Sequence, residues 1–112
     1  MFLRPRPDAP LTVLEPVGPP VGVVPDHQCD ATEGAPCLEP GGTLVVMSDG
    51  VFESRDPSGE LFDVHRVVEL LDRNRGASPC ELVDLIKQAM RQWQGGDEPL
   101  DDQTVVVIQR TA

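Results

Sequence analysis

Three acidic residues stand where chemistry could be done. Asp49 lies in "VVMSDGVFES", and Asp101 and Asp102 lie in "LDDQTVVVI". Asp49 follows an apolar run, Leu44 to Met47, that reads as a buried strand over 43–48 launched by the "PGG" turn and stopped at Ser48-Asp49-Gly50. Asp101 and Asp102 precede a second such run, "TVVVIQ", residues 104–109, short and β-branched. If these strands are antiparallel neighbours, the end of one meets the start of the other at one sheet edge, about 4.8 Å away. The carboxylates then converge on one rim although the sequence separates them widely. Carboxylates that close repel unless a proton or cation lies between them. No Lys or Arg adjoins either motif; Arg55 and Arg110 are several residues off. All-oxygen ligation suits Mg²⁺ or Mn²⁺ rather than zinc. Such ions support hydrolysis by activating water and holding phosphoryl oxygens, often in pairs. The plainer reading is that Asp-Gly is a turn dipeptide and Asp-Asp a solvated loop. Spacing alone favours the plainer one.

The elements that must position these acids belong to a short chain. Its 112 residues are enough for one small domain. A formal net charge of −10 would repel phosphate backbones, so nucleic acid is not an expected partner. No apolar stretch approaches the roughly 20 residues of a membrane span. The start, "MFLRPRPDAP", lacks the apolar core of a signal peptide. Cys29, Cys37 and Cys80 are odd in number and show no C-x-x-C spacing, which reads as free thiols of a cytoplasmic protein. His27 and His65 lie far apart and read as surface or turn residues.

Residues 1–42 read as short extended pieces divided by turns. "LTVLE" (11–15) alternates as a strand does, and the prolines of "PVGPPVGVV" exclude helix. After a polar turn over 54–61, Val64, Val67, Val68 and Leu71 recur at helical spacing, which predicts a helix over 62–75 ending near Gly76. "SPCE" (78–81) is a capping box that opens a second helix with Ser78 as N-cap and Pro79 at its first position. Leu82, Leu85, Ile86, Met90 and Trp93 stripe that helix as core residues, and Gly95-Gly96 stops it. Strands, then two helices, then a closing strand predict an α+β fold, with both helices packed on one face of a largely antiparallel sheet.

The ordered set "LEPGGTLVVMSDGVFESRDPSGELFDVHRVVELL" and "LDDQTVVVI" closely resembles the C-terminal half of the SpoIIE-like branch of the metal-dependent protein phosphatase (PPM) family. There a strand ends in Ser/Thr-Asp-Gly, a loop like "DPSGELFG" follows, and two helices precede a closing DD-x-T strand. "VGPPVGVV" is similar to the family's G-x-P-L-G segment, so the resemblance runs from about residue 14 onward. It implies part of a β-sandwich flanked by helices, with two Mn²⁺ or Mg²⁺ ions at one end and hydrolysis of phosphoserine or phosphothreonine by metal-activated water. Carried over, the metal ligands are Asp49 and Asp101, with Asp102 a secondary position; no catalytic residue beyond metal ligands is implied. Gly50 and Thr104 would be structural, Gly50 letting the backbone turn beside the metal. The implied substrate is a phosphorylated anti-sigma-factor antagonist in bacterial partner-switching signalling.

The departures shape the expectation. The family's upstream "G-D" and "D-G-H-G" motifs, which supply further ligands, are absent. Gly42 replaces the Asp of "PGD", and Asp63 replaces the Gly after Leu61-Phe62; both changes read as tolerable. Residues 1–112 therefore read as the C-terminal portion of one phosphatase domain whose upstream half is absent, with an incomplete metal site and little or no activity alone. Half a sandwich exposes strand edges and an apolar face, so self-association is expected. The alternative is a non-catalytic protein-binding module that keeps the phosphatase architecture.

Overall fold

The proline-rich start hides the strand on which the sheet is built. The computed structural model describes residues 1–15, 37–95 and 102–112. In it β1 (Phe2–Arg4) is buried along its whole length. Three residues are too few to show an alternation, and Pro5, which has no N–H to give a ladder, follows directly. β2 (Thr12–Val13) falls within the strand expected at 11–15. β3 (Thr43–Met47) and β4 (Val105–Gln109) are the two apolar runs. The sheet order is β2-β1-β3-β4 and every pairing is antiparallel.

The register decides which side chains share a face. Phe2 pairs with Val45, and Val45 with Val107, so these three form a row on one face, with Met47 and Val105 in the next row. That face joins a core with Val51, Phe62, Val67, Leu71, Leu82, Ile86 and Met90. Leu44, Val46, Val106 and Ile108 point to the other face, where Val106 and Ile108 are 45% and 47% exposed.

The helices cover the first face. α1 (Asp49–Phe52) is a single turn where the sequence predicts only a turn, so β3 ends at Met47 rather than at 48. α2 (Asp63–Arg73) buries Val67 and Leu71 and ends two residues before the expected 75. The Asn74 side chain donates to the Leu70 carbonyl at 2.7 Å, satisfying an orphan acceptor of the last turn. α3 (Pro79–Gln94) starts as the capping box predicts, the Ser78 hydroxyl accepting the Glu81 N–H at 3.3 Å. It stops at Gly95, whose φ of 70° is left-handed. The α+β layering therefore stands, with two helices on one face of an antiparallel sheet.

Arg4 fastens the layers together. Its buried guanidinium meets Asp72 Oδ1 at 2.7 Å and donates to the carbonyls of Ala9 and Leu71 at 2.9 and 3.4 Å. A cation at the C-terminal end of α2 also meets the negative end of the helix dipole. Cys37 and Cys80 are free and exposed. The segment "PVGPPVGVV", His27, Cys29, Gly96 and Asp101 lie outside the described residues. Among the described residues no helix is long and apolar enough to cross a membrane.

Candidate functional site

Antiparallel pairing of β3 with β4 sets Met47 opposite Val105. Ser48-Asp49 and Gln103-Thr104 therefore leave the sheet at the same edge, which is the condition the sequence reading required. Four contacts close that edge. Ser48 N–H donates to the Thr104 carbonyl at 3.0 Å. The Ser48 hydroxyl accepts the Thr104 N–H at 2.9 Å and donates to the Asp102 carbonyl at 3.4 Å. The Gln103 side-chain amide donates to the Gly50 carbonyl at 3.3 Å. Ser48 is the N-cap residue of α1, yet its side chain makes no cap bond. Its hydroxyl is committed to the approach to β4 instead.

Gly50 explains how the two motifs come so close. Its α-carbon lies against the Asp102 backbone, and a β-carbon there would overlap the Asp102 carbonyl oxygen. The sequence reading made Gly50 a place for the backbone to turn. The positive-φ glycines among the described residues are Gly41, Gly59 and Gly95, so Gly50 serves close approach rather than an unusual turn. Gly42 acts in the same way: a β-carbon there would overlap the Pro5 carbonyl oxygen, so the Asp of "PGD" has no room on this backbone.

Asp49 is the first residue of α1 and is exposed. Among the described residues its carboxylate takes part in no hydrogen bond or ion pair. Asp102 is exposed, and its backbone is fastened to Ser48 and Gly50. Asp101 lies outside the described residues, immediately before this fastened segment. Carboxylate oxygens are the donors a hard divalent ion takes. Among the described residues no group of three or more His, Cys, Asp or Glu is placed to hold a metal.

A second set of contacts steadies α1 from behind. Ser54, buried just after α1, gives its carbonyl to the Phe62 N–H at 2.8 Å and to the Trp93 indole at 3.2 Å. Its hydroxyl accepts from the buried Gln94 amide at 2.7 Å. The end of α3 is thereby tied to the turn that follows α1. Sequence reasoning missed Ser48, Gln103, Ser54 and Gln94 as positioning residues. A hydroxyl directly before Asp-Gly was a usable signal for Ser48; the others depend on contacts between distant segments.

The profile of Stage II sporulation protein E (SpoIIE) matches residues 1–111. The chain belongs to the SpoIIE family. Protein IcfG of Synechocystis sp. (strain ATCC 27184 / PCC 6803 / Kazusa) is 33% identical over 97 residues, which is 87% of this chain and 15% of that protein. The SiaA-PP2C domain of Pseudomonas aeruginosa superposes with a TM-score of 0.59 at 22% identity, over 65% of this chain and 30% of that one. The phosphatase domain of the cell-fate determinant SpoIIE from Bacillus subtilis superposes with a TM-score of 0.51 at 28% identity, over 68% of this chain and 35% of that one. This SpoIIE-family chain thus spans about a third of the solved domains it matches, and less of its curated relative. Its architecture matches part of a phosphatase-type domain.

Proposed function

We propose that this SpoIIE-family chain is the C-terminal part of a metal-dependent phosphoserine/phosphothreonine protein phosphatase domain, in which Asp49 and Asp101 hold Mn²⁺ or Mg²⁺. Asp102 is a secondary position beside them, and a phosphorylated anti-sigma-factor antagonist in bacterial signalling is the substrate this reading favours. The observation that carries it is the closed edge, where Ser48-Asp49-Gly50 is packed against Asp102-Gln103-Thr104 while the Asp49 carboxylate stays exposed. A bound ion would supply Lewis acidity and an activated water. This chain's own part is to hold the carboxylates at fixed positions. Ser48 and Gln103 anchor the two segments to one another, and Gly50 lets them touch.

Two ligands without a bridging carboxylate hold a metal pair weakly, so the chain alone turns over phosphoserine peptide with Mn²⁺ slowly or not at all. Mn²⁺ titration of isotope-labelled protein tests the site directly. Selective NMR line broadening at Asp49 and Asp101, removed by Asp49→Ala, is expected. Uniform weak broadening over the acidic surface would favour the non-catalytic module. The exposed Val106 and Ile108 support self-association of the isolated chain, which sedimentation velocity over a range of concentrations reads out.

A further inference from the structure

β4 ends the sheet order β2-β1-β3-β4, so one of its two sides faces away from β3. Its backbone bonds show which residues face outward. The Thr104 carbonyl accepts the Ser48 N–H at 3.0 Å, and the Arg110 N–H donates to the Gly42 carbonyl at 3.1 Å. An antiparallel ladder bonds alternate residues. Thr104, Val106, Ile108 and Arg110 therefore bond toward β3, while the N–H and C=O groups of Val105, Val107 and Gln109 point outward. Among the described residues no hydrogen bond closes those outward groups.

The two edges of the sheet are built differently. β2, at the other edge, has two residues, with Pro10 and Pro16 on either side of it. Short strands and prolines stop one sheet from adding to another. β4 has five residues, pairs with β3 without a bulge, and lies in the uncharged run "TVVVIQ". An uncharged edge is also where a second copy of a chain with formal net charge −10 is repelled least.

We infer that β4 pairs antiparallel with β4 of a second copy, about a two-fold axis at Val107, so that two sheets become one. This gives the self-association stated above its geometry, and it rests on that reading. The edge is complementary to itself in this register. Val107 meets Val107 and Val105 meets Gln109, each pair exchanging two bonds, so that every outward group is satisfied. On the exposed face Val106 lies opposite Ile108, and the two exposed apolar side chains of one copy cover those of the other. Arg110 stands opposite Thr104, with Asp102 on the diagonal, so opposite charges adjoin at both ends of the interface. Parallel pairing in register would set Arg110 beside Arg110. These matches favour a second copy over an unrelated strand.

Val106 and Ile108 are exposed, so cysteines there read the register without disturbing the core. In the full chain carrying Cys29→Ser, Cys37→Ser and Cys80→Ser, the variants Val106→Cys and Ile108→Cys are oxidised separately and as an equal mixture. Positions 106 and 108 face each other across the axis at about 4.5 Å between α-carbons, within disulfide reach. Two copies of position 106 lie on a diagonal, at about 7–8 Å, beyond it. The mixture is expected to give at least about tenfold more disulfide dimer than either variant alone. Sedimentation velocity of the wild type should show a monomer–dimer equilibrium. Gln109→Pro removes an outward N–H and leaves the β3 ladder its bonds, so it should weaken that dimer about tenfold, two bonds being lost by symmetry. A wild type that is monomeric at every concentration overturns self-association and this interface together. A dimer that Gln109→Pro does not weaken, or disulfides that form as readily between like positions as between 106 and 108, overturns the β4 interface and leaves self-association standing. Should Gln109→Pro fail to fold, the disulfide ratio decides. Metal binding at Asp49 is read separately by Mn²⁺ broadening.

Discussion

Two stretches of this chain use the same vocabulary, an aspartate and a glycine in a turn, for opposite ends. In "DPSGE" the Asp56 carboxylate is consumed by its own loop. One oxygen accepts the Ser58 N–H at 2.9 Å, the Ser58 hydroxyl at 2.7 Å and the Glu60 N–H at 2.8 Å. The loop is closed further by the Arg55 guanidinium on the Gly59 carbonyl and by the bridge between Arg55 and Leu61. In "SDG" the backbone and the serine do the fastening, and among the described residues the Asp49 carboxylate accepts nothing. A structural aspartate spends its lone pairs on nearby N–H groups. One available to a ligand leaves them free. The same contrast divides the glycines. Gly59, at φ 90°, has open space where a β-carbon would go, whereas the corresponding space at Gly50 is filled by Asp102.

The largest effect tests the glycines. Gly50→Ala must displace either α1 or the lead into β4, because neither backbone can yield locally. A loss of roughly 3 kcal/mol is expected, at the upper end of overpacking costs. Gly59→Ala meets only the left-handed backbone penalty, about 1 kcal/mol. Urea melts of the two variants rank them. Equal losses would mean that the contact between Gly50 and Asp102 does not constrain the edge.

The two aspartates come next. Asp56→Ala leaves the N–H groups of Ser58 and Glu60 without their acceptor and lowers the thermal midpoint. Asp49→Ala changes stability only by the small amount of an exposed substitution, about 0.5 kcal/mol either way, while removing Mn²⁺ broadening at the edge. The pH dependence separates them too. The Ser58 hydroxyl first, and then the Glu60 N–H, hold the Asp56 carboxyl below the ordinary aspartate value of 3.8. A lowered folded-state value favours folding wherever the unfolded group is ionised. The stabilisation is therefore complete above the unfolded value, and it is lost as the pH falls through the lowered one. Acid melts of the wild type and Asp56→Ala should converge below that window and separate above it. A gap that persists unchanged into strong acid would remove the carboxylate from the account.

Much of this was legible because it is periodic or local. Val67 and Leu71 on α2, and Leu82, Ile86 and Met90 on α3, fall on the buried faces their spacing predicts. Ser78 and Gly95 cap where their types say they should. The shared edge was legible only as a condition on strand pairing, since the sequence gives no direct sign of which strands are neighbours. Three features were out of reach, one because it is short and two because their partners are distant in sequence. β1 is too short for a pattern. Arg4 is buried by partners in residues 9, 71 and 72. The room around Gly50 is set by a backbone distant in sequence.

Asp63 carries the comparison to its smallest expected effect. It stands where the family pattern has glycine, and it takes φ 62°, the one non-glycine residue in the left-handed region among those described. Aspartate tolerates that region better than most residues because its side chain can bond locally. Here Oδ1 accepts the Val64 N–H at 2.6 Å, and Oδ2 lies 3.6 Å from His65 Nδ1. Asp63 is thus an intermediate case, its carboxylate partly spent on making a glycine position habitable at the start of α2. Glycine relieves the backbone but forfeits the bond to Val64, so Asp63→Gly should raise stability by only about 0.5 kcal/mol. Asp63→Ala keeps the β-carbon and loses the bond, and should lower stability by about 1 kcal/mol. Thermal melts of the pair read the sign directly. A rise with alanine as well as glycine would show that the strain lies in the carboxylate rather than in the backbone.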